Sequence, residues 1–381
     1  MNDNGRALKG FIAGIIATML LLFVVTGYFL FSVNEHMGRA VRVISILKSE
    51  SLEGVTSEQM FEGAIKGIVG SLEDPYSVYM DPREYEQLET NMGGSYGGVG
   101  IWVGMQEGNR LTVISPIKGS PAYEKGLEPG DVIVRIGDLD TSSMDMDTAV
   151  EHMKGEPGTE VVLGIQRSEQ RELLEVAITR EIINIPSVEA EIMEDHPNIA
   201  YIDMIMFSHT TAGDLAGLLA ELEQTGYEGI VLDLRDNPGG SLEAAIEVSD
   251  FFVPEGPIVH IVSSRENVQI DATGSRIDKP LVVLVNGGSA SASEIVAGAI
   301  RDSGAGTVVG TKTFGKGLIQ TVYELDGGTA VKLTTAKYLT PDKHDIDKKG
   351  IEPQHKVEAD PEAGKDVQLE KAIEILNEKI K

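Results

Sequence analysis

The chain has 381 residues and carries 60 acidic against 32 basic side chains, a formal net charge of −28. Phosphate binding needs clustered Lys and Arg, so this balance speaks against nucleic acid as a partner and describes a well-solvated surface. There is no cysteine, which excludes thiol catalysis, disulfides and cysteine-ligated metal, while the length allows a membrane segment and two or three domains.

Residues 1–10 precede a nearly unbroken apolar stretch, 11–31, that begins at Phe11 and ends at Phe31. A helix needs about 20 residues to cross a bilayer. A signal-peptide core is only about 7–15 long and is followed by a small-residue cleavage site, for which there is no clear match. The stretch is therefore expected to be an uncleaved transmembrane signal anchor. Arg6 and Lys9 lie before it and Arg39, Arg42 and Lys48 after it, so the basic flanks do not fix its orientation. Residues 33–84 read as a helical region. Val33, Met37, Val41, Ile44 and Leu47 recur at near-helical spacing, and a second helix is expected over Ser57–Gly70 before Asp74-Pro75 breaks it. Neither helix carries a chemical constellation; they are suited to pack on a core or to join copies into a homo-oligomer.

From Tyr85 to Glu181 the character changes to short strands and glycine turns. Gly97-Gly98-Val99-Gly100-Ile101, the turn at Gly119-Ser120-Pro121-Ala122, and Gly126-Leu127-Glu128-Pro129-Gly130-Asp131-Val132-Ile133 together resemble a PDZ domain. Such domains bind an extended chain end by strand addition and hold its carboxylate on backbone N–H groups. The resemblance assigns that role to Gly97, Gly98, Val99, Gly100 and Ile101; the ordinary alternative is a plain glycine turn. A helix near Met146–Met153 and a strand over Val161–Arg167 complete the domain. Arg167, at the strand end, is a candidate for coupling ligand binding to the rest of the chain.

Residues 182–360 alternate strands with helices. Strands are expected at Ile199–Met204, Gly229–Leu234, Leu281–Asn286, Val308–Gly310 and Leu318–Val322, with helices over Asp214–Gln224 and Leu242–Phe252, so the core is α/β with βαβ units. Thr329–Lys337 reads as an edge or hairpin strand, and within 361–381 the stretch Val367–Ile380 reads as a closing amphipathic helix. Ser289-Ala290-Ser291-Ala292-Ser293-Glu294 follows the strand Leu281–Asn286 and two glycines, which places serines at a helix start where N–H groups are unpaired. Ser291 to Glu294 also fits a Ser-x-x-Glu capping box, so one serine has a purely structural use.

The Ser-Ala-Ser-Ala-Ser-Glu run, followed by Phe314-Gly315-Lys316-Gly317 and Gln320, resembles the C-terminal processing peptidases, or tail-specific proteases. The resemblance covers about residues 57–355 and includes Asp74-Pro75-Tyr76 and Arg235-Asp236-Asn237-Pro238-Gly239-Gly240. It implies a crotonase- or ClpP-like βαβ peptidase core with an inserted, mostly-β PDZ domain. It also makes Ser291 the nucleophile, Lys316 the general base and Gln320 the residue that orients the lysine. Gly240, with Gly239 as a further candidate, and Ala292 become the oxyanion donors. A serine needs an adjacent base, and a lysine serves only when its ammonium is desolvated, here by neighbours such as Phe314, Leu318 and Ile319. No metal and no cofactor are called for. The resemblance also implies protein or peptide substrates with exposed C-termini, and a single-pass place in the bacterial cytoplasmic membrane with the catalytic part outside the cytoplasm. Two other readings remain beside it. One is a catalytically inactive PDZ adaptor at the membrane; the other is a crotonase-like acyl-group enzyme on a similar βαβ core.

Overall fold

The structure is a computed structural model that describes residues 3–106, 110–167, 173–360, 362 and 364–380. Within its first helix, the side chains of 14–16, 18–24 and 36–50 are described. The chain divides into two units, 1–79 and 80–381.

In the first unit a helix runs from Asp3 to Glu50. The expected span 11–31 lies on it, but residues 11–13, 17 and 25–31 fall outside the described side chains. Among the described residues no helix is long and apolar enough to cross a membrane. The apolar side chains from Met19 to Val24 are all exposed. The second helix, Ser57–Gly70, matches its expected bounds because a capping box starts it. Thr56 Oγ1 accepts from the Gln59 N–H at 3.2 Å, and Gln59 Oε1 accepts from the Thr56 N–H at 3.0 Å.

The second unit opens on a helix, Pro82–Gly93, where short strands were expected from Tyr85. Asp81 accepts from the N–H groups of Arg83 and Glu84, each at 3.0 Å, and Glu84 returns the bond to the Asp81 N–H at 2.9 Å. None of its residues is fully buried, and Tyr85, Leu88 and Met92 form its half-buried stripe at helical spacing.

Ser95–Gly98 then pairs antiparallel with Glu181–Asn184, and the PDZ domain hangs between these two strands. Its sheet runs in the order Ile101–Gln106, Arg110–Pro116, Val132–Ile136, Glu160–Gln166, Leu174–Thr179. The helix Met146–Met153 covers it, and the domain has its own core around Val99, Leu111, Ile133, Leu163 and Ile178.

The remaining chain builds a six-stranded sheet in the order Val188–Met193, His196–Met204, Gly229–Asp233, Leu281–Val285, Thr307–Gly310, His355–Lys356. The first pair is antiparallel and the others parallel. Both faces are covered, which is why Leu281–Val285 reads as an unbroken apolar run: all five residues are buried. Val283 and Val285 face the helices Thr211–Glu223, Leu242–Asp250 and Ala292–Asp302, while Val282 and Leu284 face the closing helix Val367–Lys379. Full burial of each such side chain contributes about 1.5–3 kcal/mol.

A second sheet contains Gly256–Ser263, Asn267–Ala272, Leu318–Glu324 and Ala330–Leu339. Ala330–Leu339 forms the expected hairpin, with Leu318–Glu324, but it is not an edge. Gly256–Ser263 pairs with its other side through Ser263↔Ala336 to His260↔Leu339.

Candidate active site

The turn between Leu281–Val285 and the helix Ala292–Asp302 carries Ser289 and Ser291, and Ser293 is the second residue of that helix. Ser291 is the helix N-cap, with φ 55° and ψ −112°. A non-glycine residue in that region stores about 1–3 kcal/mol of strain, and it persists only where its surroundings over-determine it. Here they do. Ser289 Oγ donates to the Leu234 carbonyl at 2.7 Å and accepts from the Asn286 N–H at 3.0 Å. Ser293 Oγ donates to the Asn237 carbonyl at 2.9 Å, and the Ala290 N–H reaches the same carbonyl at 3.1 Å. The outer serines therefore staple the turn onto the loop 234–240, and both are fully buried. Asn286 adds a reciprocal pair with Asp236: Nδ2 to Oδ1 at 3.0 Å, and the Asp236 N–H to Asn286 Oδ1 at 2.9 Å.

The facing loop is fixed at its root by Arg235, whose guanidinium grips Asp233 and reaches Asp366 Oδ2 at 2.8 Å, just before the closing helix. Asn237 donates through Nδ2 to the Met204 carbonyl, and its Oδ1 accepts from the Gly239 N–H at 2.9 Å. That second bond removes Gly239 as an oxyanion donor, because its hydrogen is already held. Gly240 differs. Phe207 donates to the Gly239 carbonyl at 3.0 Å, and its own carbonyl accepts from Ser241 at 2.7 Å, a parallel bridge that turns the polar groups of Gly240 away from Phe207. Its φ is 143°, and a Cβ there would lie 1.9 Å from the Phe207 oxygen, so only glycine fits. Among the described residues the N–H groups of Gly240 and of Ala292, the first helical residue, have no acceptor. Gly239 packs directly on this spot, since a Cβ on it would lie 2.9 Å from both Ser291 Cβ and the Ala292 nitrogen. Two aimed N–H groups beside a strained serine can receive a developing oxyanion.

Lys316 sits in a loop held on both sides. Phe314 donates to the Ser289 carbonyl at 3.0 Å, and Lys348 donates to the Gly315 carbonyl at 2.8 Å. The reciprocal half of the capping box is present too: Glu294 Oε2 accepts from the Ser291 N–H at 3.0 Å. The Glu294 N–H, which a capping hydroxyl would take, lies 2.9 Å from the Ser291 carbonyl. Glu294 does more than cap. It is completely buried, and Oε2 also accepts from the Lys316 N–H at 2.8 Å. Tyr338 closes the other side, with its hydroxyl 2.9 Å from the Ser291 carbonyl and 2.6 Å from the Lys316 carbonyl. The backbones of Ser291 and Lys316 are thus tied to the same two side chains. Nothing in the sequence pattern marked Tyr338, Asn286 or the outer serines for these tasks.

The half-buried Lys316 amine has its pKa pushed down, first by burial and then by the charge of Lys332, with Glu294 pulling the other way. Of the expected apolar screen, Leu318 and Ile319 are half-buried, but Phe314 is 58 % exposed and contributes little. Gln320 lies on Leu318–Glu324 beside a bulge, and its side-chain nitrogen is buried without a hydrogen-bond partner among the described residues. Away from this site Asp302, Asp342 and His344 bring one ligand atom each within 4.8 Å of one another. Asp302 Oδ1 is held by Arg301 at 2.7 Å, while Oδ2 faces His344 at 4.0 Å.

In the PDZ domain, Gly97 and Gly98 belong to the neck strand, paired with Ile182 and Glu181. Val99 and Gly100 direct their carbonyls inward, to the Ala122 N–H at 3.0 Å and to Ile117 N–H and Ser120 Oγ at 2.9 and 2.8 Å. Their own N–H groups have no acceptor among the described residues, as a carboxylate nest requires. Ile101 starts the edge strand beside the helix Met146–Met153. The cleft between them, lined by Tyr96, Val99, Ile101, Val150, Met153 and Lys154, measures about 20 Å³, room for a single water. Tyr96 forms one wall of it, with Lys154 Nζ 5.2 Å from its ring centre. Arg167 stays inside the domain: Nε and Nη2 each bond Asp131 at 2.7 Å, and Nη1 bonds Glu128 at 2.9 Å. Burial pushes the Asp131 carboxyl up, but the hydrogen bonds from Arg167 and the Glu128 N–H, with the Arg167 charge, outweigh it and hold the pKa below the usual range. Arg180, at the neck, instead grips the end of the groove helix through the carbonyls of His152 and Met153 at 2.9 and 3.1 Å.

Known proteins share this organisation. Residues 198–357 match the model of peptidase family S41, 112–167 that of a PDZ domain, and 31–84 that of the N-terminal domain of the activating protease CtpB. The carboxyl-terminal-processing protease of Synechocystis is 39% identical over 325 residues, covering 82% of this chain and 76% of that one. The carboxy-terminal processing protease CtpA of Bacillus subtilis is 40% identical over 316 residues, covering 82% and 67%. An S41 protease from Bacteroides fragilis matches in fold with a TM-score of 0.53, at 16% identity, over 83% of this chain and 90% of that one.

Proposed function

The chain belongs to peptidase family S41, as a carboxyl-terminal processing serine protease with a PDZ domain, and on that footing we propose how it works. Lys316, neutral in its half-buried place, takes the proton of Ser291 Oγ as that oxygen attacks a substrate peptide carbonyl. The N–H groups of Gly240 and Ala292 stabilise the tetrahedral oxyanion. As the intermediate collapses, Lys316 returns the proton to the leaving amine, and it then deprotonates the water that releases the acyl group from Ser291. Gln320 is the group that holds the neutral amine in line, its side-chain oxygen accepting an amine N–H so that the single lone pair is left for the Ser291 proton. The observation that carries this reading is the shared attachment of Ser291 and Lys316 to Glu294 and Tyr338, beside two N–H groups without acceptors.

Substrate tails are taken by the PDZ cleft, their carboxylates on the N–H groups of Val99 and Gly100, once Tyr96 has moved aside. The helix Asp3–Glu50 anchors the protein in a membrane through residues 11–31, with the catalytic part outside the cytoplasm. The length and apolar character of that stretch and the exposure of Met19–Val24 support this placement. Arg167 contributes by holding the Asp131 corner, so any signal it passes runs through its own domain.

The test is turnover of an unfolded protein substrate. Ser291→Ala and Lys316→Ala should each abolish cleavage while the chain stays folded; normal turnover in either removes that residue from the mechanism. An adaptor would keep its cellular effect in Ser291→Ala, which a protease would lose. Since the chain has no cysteine, Gly5→Cys and Glu378→Cys report topology cleanly. An impermeant maleimide added to intact cells should label only the second, and equal labelling of both would refute the anchor.

A further inference from the structure

Glu294 is the most deeply committed carboxylate of the site. Oε1 accepts from Thr313 Oγ1 at 2.6 Å and the Gly315 N–H at 2.8 Å, and Oε2 from the Ser291 and Lys316 N–H groups at 3.0 and 2.8 Å. Those bonds use the full acceptor capacity of an ionised carboxylate. A single oxygen therefore ties the backbones of two residues that lie far apart in the sequence. Tyr338, almost wholly buried, sits within hydrogen-bond distance of both carbonyls of the same two residues. The N–H and C=O groups of Ser291 and of Lys316 are thus all referred to one carboxylate and one phenol.

We propose that Glu294 and Tyr338 are positioning residues that clamp the backbones of Ser291 and Lys316 in one register, so that hydroxyl and amine meet without a search. The proposal rests on the Ser291–Lys316 reading. It has a geometric and an electrostatic part. Geometrically, a misplacement of about 1 Å costs on the order of 100-fold in rate, and the clamp removes the slack between the lysine loop and the nucleophile helix. Electrostatically, the charges facing the amine are Glu294 from the nucleophile helix and Lys332 from Ala330–Leu339, while Asp347 from the loop beyond faces Tyr338. Lys332 favours the neutral amine and Glu294 the protonated one. Glu294 therefore sets the pH at which Lys316 becomes a base, in addition to its place.

The experiment uses the full chain, with kcat, KM and the pH–rate profile measured on an unfolded protein substrate, and with the rate at which a fluorophosphonate probe labels Ser291. Tyr338→Phe keeps the ring and loses only the bridge. It should fold normally and lose about tenfold in kcat and labelling rate, with KM and the position of the profile unchanged. Glu294→Gln removes the charge and sets N–H against N–H; its plateau should fall and its acid limb should move to lower pH, because the amine loses the charge that favoured its protonation. Glu294→Asp should bring the acid limb back without restoring the plateau, since the charge returns but the reach does not. A folded Glu294→Gln with an unmoved limb, or Tyr338→Phe with wild-type kcat, overturns the proposal. If neither Glu294 variant folds, Tyr338→Phe alone decides it. Continued cleavage by Ser291→Ala would instead overturn the dyad itself.

Discussion

Alanine should separate the three serines of the Ser289–Ser293 run by stability and by activity in opposite orders. Ser289→Ala removes a donor to Leu234, which is buried, and the acceptor of the Asn286 N–H, which is partly so. Leu234 keeps only a long 3.4 Å contact from the Asn237 N–H. With about 1–3 kcal/mol for each buried group left short, the cost is about 2–4 kcal/mol. Ser293→Ala removes one bond to a carbonyl that retains the Ala290 N–H at 3.1 Å. Nothing is orphaned, so the cost is about 1 kcal/mol. Ser291→Ala should change stability by no more than about 0.5 kcal/mol and end cleavage, while the Ser293 variant retains most of it. The assay is urea unfolding followed by circular dichroism, with each difference taken from the midpoint shift and the slope, beside turnover of an unfolded substrate. A Ser293→Ala cost equal to that of Ser289→Ala, or a larger loss in Ser291→Ala than in either, would refute the staple argument.

Arg167→Ala leaves the buried Asp131 without its counter-charge and should destabilise the PDZ domain by about 3 kcal/mol, read by the fluorescence of Trp102, the only tryptophan. In the parent the Asp131 contribution is present above the unfolded carboxyl value of about 3.9 and lost as pH falls through the lower folded value; unchanged acid sensitivity in Arg167→Ala would contradict that. Tyr96→Ala should widen the narrow cleft and tighten binding of a peptide with a free C-terminus by about tenfold, or about 1.4 kcal/mol, in a polarisation titration. Weaker binding would make Tyr96 part of the site rather than an obstacle to it. Gly240→Ala, whose Cβ would meet the Phe207 oxygen, should displace the oxyanion donor and cost about 10²–10³ in kcat; near-normal kcat would exclude Gly240 from that role.

The central strands and helices were legible because burial on two faces writes long apolar runs such as Leu281–Val285, and because Met60, Phe61, Ile65, Ile68 and Val69 recur near helical spacing over Ser57–Gly70. The helix Pro82–Gly93 carried a capping box at Asp81 and Glu84 and a stripe at Tyr85, Leu88 and Met92, but it was overshadowed by the glycine turns that follow it. Ala330–Leu339 looked like an edge because strand neighbours are set by distant pairing, which no local pattern records. At the site the motif pointed to Ser291, Lys316 and Gly240. It left Glu294 as an end cap, since the donors from Thr313, Gly315 and Lys316 arrive from another loop. Gly239 failed as a donor for a similar reason: a side chain two residues back had captured its hydrogen.

The two-strand neck of Ser95–Gly98 and Glu181–Asn184 has a consequence for how such a chain can change. Entry and exit lie side by side, so a whole domain is inserted at the entropic charge of closing one short loop. A shorter turn joining the same two strands would leave the peptidase sheet, its serine turn and its lysine loop undisturbed in sequence. Selectors for different tails are then interchangeable parts, provided each new one presents an arginine, as Arg180 does, to fasten its groove helix to the stem.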